Sequence, residues 1–307
     1  MYARKTGTAW EIFAPAKLNL YLDVLGRRAD GFHELETVMA PVQLHDRLQW
    51  APSDRGAETP FSLRFHPSSS SHAGELPLGR SNLVWQAADA LAQDAGLAPH
   101  GVITLTKRIP TQAGLGGGSS DAAATLVLLN AAWGLDYSRS RLARLAAQLG
   151  SDVPFFLAGS TAICRGRGEI IEPLDDMPRY DVVVVAPPAG VPTAAAFAAL
   201  GAPPVEHRRE PSRSEQLTQL VADLKRGAVA AAGRRMKNGL QHIAETLCPA
   251  VRRIGTAFAS IACCAHLLTG SGSAYFGVMH SARQARRAAA LLRSLDLGSV
   301  FATATCR

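Results

Sequence analysis

The chain has 307 residues, 47% of them hydrophobic and 19% charged, with a formal net charge of +7. A chain of this size and composition buries a large core in one or two domains, which excludes a peptide, a tail or a wholly disordered segment. The first ten residues, MYARKTGTAW, carry charge, and Glu11, Lys17, Asn19 and Asp23 interrupt the stretch that follows, so no secretory signal is expected. Residues 182–201 look apolar, but Pro187, Pro188, Gly190 and Pro192 punctuate them; they read as a buried strand, a loop and a helix, not a membrane span. Five cysteines without a C-x-x-C pair fit neither a disulfide framework nor a zinc site, and point to a reducing cytoplasm. The pI near 9.5 raises nucleic acid as a partner. The arginines, however, are spread along helical stretches such as Arg139, Arg141, Arg144 and Arg283, Arg286, Arg287. Solvated helix faces and an anionic small-molecule substrate are therefore expected, with no nucleic-acid or membrane partner.

In chain order, residues 13–25 alternate: Leu18, Leu20, Leu22 and Val24 face one way, and Lys17, Asn19, Tyr21 and Asp23 the other. That pattern predicts a strand with one polar face. The Asp30-Gly31 turn separates it from a second strand over 37–44. Residues 51–79, rich in Ser, Pro and Gly, read as a surface loop. A helix over 81–95 stops at Gly96, a strand follows over 102–107, and residues 110–118 (PTQAGLGGG) cannot be regular structure. From Ser119 to Gly134 the spacing predicts a helix, and another runs over 138–149. Strands at 161–164 and 181–186 precede helices at 215–224, 229–240 and 282–295, with short strands around the second glycine cluster, 270–277. The sum is an α+β chain in two halves, with a boundary near 166–180 and no internal repeat.

The strongest local signal for chemistry is Gly114-Leu115-Gly116-Gly117-Gly118-Ser119-Ser120, set between a strand and an alanine-rich helix. Glycines there let backbone N–H groups turn toward a ligand, and the helix adds the positive end of its dipole, which suits phosphate oxygens. No lysine follows the last glycine, so this is not a Walker loop, and its spacing is not that of a dinucleotide fingerprint. Lys17 is either an edge-strand gatekeeper or a charge facing a ligand. Asp152, in Ser151-Asp152-Val153-Pro154, is either a helix cap or a catalytic carboxylate. Phosphoryl transfer needs a phosphate cradle, a cation and a carboxylate, and the chain offers one of each.

Five stretches in a fixed order carry a more specific message: PAKLNL (15–20), RADGFHEL (28–35), GLGGGSSDAAA (114–124), GSDVPFF (150–156) and LTGSGSAYF (268–276). Together they resemble the signatures of the GHMP kinases, and within that superfamily the family that phosphorylates a cytidine-diphosphate-linked methylerythritol. The resemblance implies a two-domain GHMP kinase fold. Residues 1–170 would form an N-terminal mixed sheet with helices, and 171–307 a C-terminal ferredoxin-like α/β sandwich. It also implies ATP with Mg²⁺ as the phosphoryl source and Lys17 with Asp152 as the catalytic pair. Pro110, Thr111, Gln112, Ala113, Gly114, Leu115, Gly116, Gly117, Gly118, Ser119 and Ser120 would form the ATP phosphate loop, and Asn82 and Lys107 would line the adenosine side. Substrate recognition would fall to Asn19, Phe32, His33, Thr193 and Phe197, the two phenylalanines stacking on cytosine and His33 reading its edge; for His33 the alternative is a plain turn histidine. No direct protein ligand for the metal is implied, and a monomer or homodimer is expected. Phe32 stands where the family often has Tyr, and Thr111-Gln112-Ala113 replaces a more glycine-rich stretch. Asn238-Gly239-Leu240-Gln241 lacks the acidic residues usual after the asparagine and is given no catalytic role. A mevalonate- or homoserine-type kinase would share the glycine loop but has no reason to keep RADGFHEL. A nucleic-acid-binding protein of related fold is the reading from another class, and fold analogy alone supports it only weakly.

Overall fold

The computed structural model describes residues 1–53, 61–69, 76–205 and 214–306. The chain forms two units, each assembled from separated stretches: Met1–Ala16, Leu44–Thr111 and Gly116–Gly159 in the first, Lys17–Gln43, Gln112–Leu115 and Ser160–Arg307 in the second. After a short strand β1 (Arg4–Thr6), the long strands β2 (Ala9–Arg27) and β3 (His33–Ala51) each contribute to both units.

In the first unit the start of β2 pairs with β1, and the end of β3 pairs antiparallel with β5 (Gly101–Thr106), from Arg47 opposite Thr106 to Ala51 opposite Val102. A strand absent from the sequence expectation, β4 (Phe61–Phe65), lies parallel to β5 within the stretch read as a surface loop. Its buried Phe61 and Leu63 alternate with Ser62 and Arg64, a period of two too short to stand out among the surrounding Ser, Pro and Gly. Part of that loop, residues 54–60 and 70–75, lies outside the described residues.

Among the described residues, four helices complete the unit: α1 (Leu83–Ala95), α2 (Gly117–Ala132), α3 (Arg139–Leu149) and α4 (Val153–Ala158). Helix α1 begins at the Asn82 cap and ends on Gly96 in the left-handed conformation, as the spacing predicts. Helix α2 buries residues all round, including Ala122, Ala123, Ala124, Leu126, Leu128 and Leu129, which makes it the central helix rather than a surface one.

In the second unit β3 pairs with β6 (Ala162–Gly166), which pairs with β7 (Ile170–Pro173). Then follow β8 (Asp181–Ala186), α5 (Thr193–Leu200), α6 (Glu215–Lys225), α7 (Val229–Gly233), α8 (Gln241–Leu247), α9 (Pro249–Ala259), β9 (Ala265–Leu268), β10 (Tyr275–Met279), α10 (Ala282–Ser294) and β11 (Ser299–Ala304). The antiparallel sheet has the order β11-β8-β10-β9. A strand, a helical connection, two strands, a helix and a strand in that spatial order give the ferredoxin-like sandwich. Its core joins Val183 and Val185 of β8 to Ile254 and Phe258 of α9 and to Ala289 and Leu292 of α10. Gly277 makes room for Phe258, because a Cβ there would come within 2.6 Å of the ring.

Three further expectations are corrected. The strand with one polar face is buried on both faces from Ala14 to Leu22, because it is covered within the fold rather than half-solvated. The helix expected over 229–240 stops after Gly233, which packs so closely on Cys264 that a Cβ would lie 2.4 Å from its carbonyl oxygen; residues 237–239 turn instead to bond with Leu22. The helix expected from Ser119 starts at Gly117, so two loop glycines lie in its first turn.

Candidate active site

Lys107, at the end of β5, turns its side chain into the first unit and is 1% exposed. Its ammonium bonds Asp46 of β3 and, at 2.7 Å, Asp121 of α2. Asp46 Oδ1 also accepts the N–H groups of Arg108 (2.6 Å) and Ile109 (2.9 Å), so one carboxylate fixes the strand end, the lysine and the chain entering the glycine loop. Burial alone would lower the Lys107 pKa, yet the two carboxylates hold it above its ordinary value. Burial pushes the Asp121 carboxyl up to about 8 against the pull of Lys107, because one ammonium serves two carboxylates.

The glycine loop passes from one unit to the other. In the second unit Leu115 O accepts the Lys17 N–H at 2.9 Å, and Ala113 O accepts that of Ala274 at 2.9 Å. Gly114, at φ +74°, is packed so tightly that a Cβ would lie 2.2 Å from Thr269 O. In the first unit Gly116, in the left-handed conformation, precedes α2 with no side-chain cap, which leaves the first helical N–H groups to a ligand. The buried Ser120 Oγ and Asp121 Oδ1 have no hydrogen-bond partner among the described residues. Uncapped N–H donors and an orphan hydroxyl in the first two turns fit phosphate oxygens.

On β2, Lys17 and Asn19 are 4% and 3% exposed, which rules out the gatekeeper reading of Lys17, since a gatekeeper must face solvent. The Lys17 ammonium donates to Asn19 Oδ1 at 2.5 Å, and Asn19 Nδ2 donates to Thr37 Oγ1 at 2.8 Å. Asp152 occupies the position before α4, but its side chain makes no cap hydrogen bond, so the capping alternative fails. Lys17 belongs to the second unit and Asp152 to the first. Asn82, expected beside adenosine, spends its side chain locally, accepting the Val84 N–H at 2.9 Å and donating to Pro77 O at 2.8 Å.

The expected substrate residues lie in the second unit. His33 stacks on Phe197 with ring centroids 4.9 Å apart, so the histidine begins β3 as part of an aromatic pair rather than as a lone turn residue. Burial, with Arg27 adding to it, lowers the His33 pKa and favours the neutral ring, which offers one donor and one acceptor nitrogen. Phe32 is 50% exposed, with the Arg167 guanidinium 4.7 Å from its ring centre, a neighbour the motifs do not signal. Thr193 opens α5, its hydroxyl 2.9 Å from that of Ser271. Asp46, Asp121 and Thr269 are not among the expected site residues, the last two although they lie within the signature stretches, yet each holds an expected site residue.

The fold and the glycine loop place the chain among the GHMP kinases. The GHMP kinases N terminal domain profile matches residues 82–160. Homoserine kinase from Cytophaga hutchinsonii shares the fold with a TM-score of 0.71 at 17% identity, covering 100% of this chain and 97% of that one. Similarity extends further to two proteins of one kind. The chain is 40% identical over 283 residues to the 4-diphosphocytidyl-2-C-methyl-D-erythritol kinase of Pelotomaculum thermopropionicum, covering 92% of this chain and 93% of its relative. A crystal structure of 4-(cytidine 5'-diphospho)-2C-methyl-D-erythritol kinase matches with a TM-score of 0.77 and 36% identity, over 97% of this chain and 99% of that one. The chain belongs to the 4-diphosphocytidyl-2-C-methyl-D-erythritol kinase family.

Proposed function

We propose that the protein transfers the γ-phosphoryl group of ATP to the 2-hydroxyl of 4-diphosphocytidyl-2-C-methyl-D-erythritol, a step of the non-mevalonate isoprenoid pathway. The observation that carries the choice of acceptor is the stacking of His33 on Phe197 in the second unit, where burial lowers the His33 pKa and favours the neutral ring; Phe32 precedes His33 in the chain. A mevalonate or homoserine acceptor has no base to stack or to read. Family membership supports the same choice.

Pro110 to Ser120 cradle the nucleotide phosphates, with Asn82 and Lys107 on the adenosine side. For Lys107 this means its backbone and its hold on the loop, since its side chain is turned inward. Asp152 receives the acceptor proton or orients the hydroxyl, and Lys17 offsets charge at the reaction centre. Because such transition states are loose, positioning outweighs basicity. Bound Mg²⁺–ATP supplies the phosphoryl group and neutralises its charge. Among the described residues no three His, Cys, Asp or Glu side chains gather as a metal cage. We expect the metal to be carried in on phosphate oxygens, the usual habit of Mg²⁺. Residues 1–170 are assigned to the N-terminal kinase domain and 171–307 to the C-terminal one. The five free cysteines support a cytoplasmic setting, and no helix among the described residues is long and apolar enough to cross a membrane. We expect a monomer or homodimer with no nucleic-acid partner.

Purified protein with Mg²⁺-ATP should release ADP when given the cytidine substrate, and not when given mevalonate, homoserine or galactose. Polar groups built to read a base are left unpaired without one, at a cost of about 1–3 kcal/mol each. Similar rates on all four acceptors, or turnover of mevalonate alone, would remove the cytosine pocket. ATP-independent RNA binding with a steep salt dependence would move the protein to another class. Phe197→Ala should raise KM for the cytidine substrate and leave KM for ATP unchanged, with a lost base stack worth about 1–3 kcal/mol. Equal increases in both KM values would place Phe197 outside base recognition.

A further inference from the structure

Residues 237–239 pass beside β2 in the second unit. Leu22 N–H donates to Lys237 O (2.8 Å) and Gly239 N–H to Leu22 O (2.9 Å), a one-rung parallel bridge. Anchored there, the Asn238 amide is used on both ends. Its Nδ2 donates to the carbonyl oxygens of Leu268 (2.9 Å) and Gly270 (2.8 Å), and its Oδ1 accepts the Leu240 N–H (2.9 Å). An amide has two N–H donors, and both are spent on the residues that bracket Thr269. Thr269 is wholly buried; its Oγ1 accepts the Asn19 N–H at 3.0 Å and lies 3.3 Å from Asn19 Oδ1, the atom that takes the Lys17 ammonium. The clamped turn also crowds the lysine directly, since a Cβ on Gly270 would lie 3.1 Å from Lys17 Nζ. Every link in this chain lies within one unit.

We propose that Asn238 is a positioning residue for Lys17: by clamping the 268–270 turn it fixes Thr269 against Asn19, and Asn19 then fixes where the lysine ammonium stands. The inference rests on the kinase assignment above, and it gives a task to a segment whose sequence suggested none. Asn238 touches neither substrate nor the reacting atoms in this scheme. Its effect should fall on turnover, because a displacement of about 1 Å at a catalytic group costs on the order of 100-fold.

The test is steady-state kinetics on Asn238→Ala and Asn238→Asp, each made alone and in a Lys17→Ala background, with a crystal structure of Asn238→Ala. The expected result is a fall in kcat of about 10- to 100-fold with both KM values within about threefold of wild type. Asn238→Asp should be as severe despite its similar shape, because a carboxylate has no N–H to give and would face two carbonyl oxygens. In the Lys17→Ala background either change should cost less than about twofold, since residues acting through one group are not additive. The crystal structure should show the Lys17 ammonium displaced from Asn19 Oδ1. Unchanged kcat, equal losses in both backgrounds, or a tolerated Asn238→Asp would overturn the proposal. Should Asn238→Ala fail to fold, Thr269→Val must give the same non-additive pattern. A wild-type protein with no turnover of the cytidine substrate would sink the kinase assignment instead; the crystal structure then decides alone, and an unmoved lysine overturns the positioning role.

Discussion

Asp152→Asn and Lys17→Ala should each lower kcat by about 10²- to 10⁴-fold, the range for loss of a group acting on the transition state. They should differ in stability. Asparagine has nearly the shape of Asp152, whose side chain makes no cap hydrogen bond to α4, so Asp152→Asn should keep the fold and lose less stability than Lys17→Ala. Lys17 is buried, and its removal leaves Asn19 Oδ1 without its shortest partner; Lys17→Ala should therefore lose about 1–3 kcal/mol of stability while keeping its circular dichroism. Near wild-type turnover in either variant would withdraw the catalytic assignment. A loss confined to KM would turn the residue into a binding group.

Lys107→Met should be the most destabilising single change among those considered. It leaves Asp46 and Asp121 buried without their shared ammonium, and breaking a buried pair in that way costs about 3–5 kcal/mol. A urea titration should show the lower midpoint, and a midpoint within error of wild type would mean the ion triad holds nothing. Asp121 pulls in the opposite direction. With its carboxyl raised to about 8, the folded protein keeps a proton that the unfolded chain releases near pH 4. Its contribution to stability therefore declines as pH climbs from about 4 to 8. Asp121→Asn should flatten that decline; an unaltered pH profile would show that Asp121 does not titrate in this window.

The same residues show how far the sequence can be read. Elements with strong local punctuation were legible: α1 with its Asn82 cap and Gly96 stop, and β8 with its run of valines. Asp46 carried a signal that passes unnoticed unless the strand's register is known. It shares one face of β3 with buried Leu44, Leu48 and Trp50, so the period of two already places a carboxylate inside. Its partner Asp121 sits in a motif whose glycines draw attention away from it. Lys17 was legible as chemistry but not as buried, because alternation tells which residues share a face and not whether that face meets water. The Asn238 clamp was out of reach altogether: its contacts span 30 and 32 residues, and the Thr269 to Asn19 bond spans 250, separations that no local pattern encodes.

Gly114 and Gly270, so far apart in sequence, lock into each other in the second unit. A Cβ on Gly114 would strike Thr269 O at 2.2 Å, and one on Gly270 would approach Gly114 O at 3.2 Å and Lys17 Nζ at 3.1 Å, in both cases from a positive φ that side chains resist. Drug resistance by point mutation would find no foothold at either glycine, because any replacement collides with the machinery it would have to preserve. An inhibitor reading the backbone at this junction should hold its target longest. One leaning on Arg167, which has no part in the proposed chemistry, would meet a side chain that can change without touching that machinery, and escape should be sought there first.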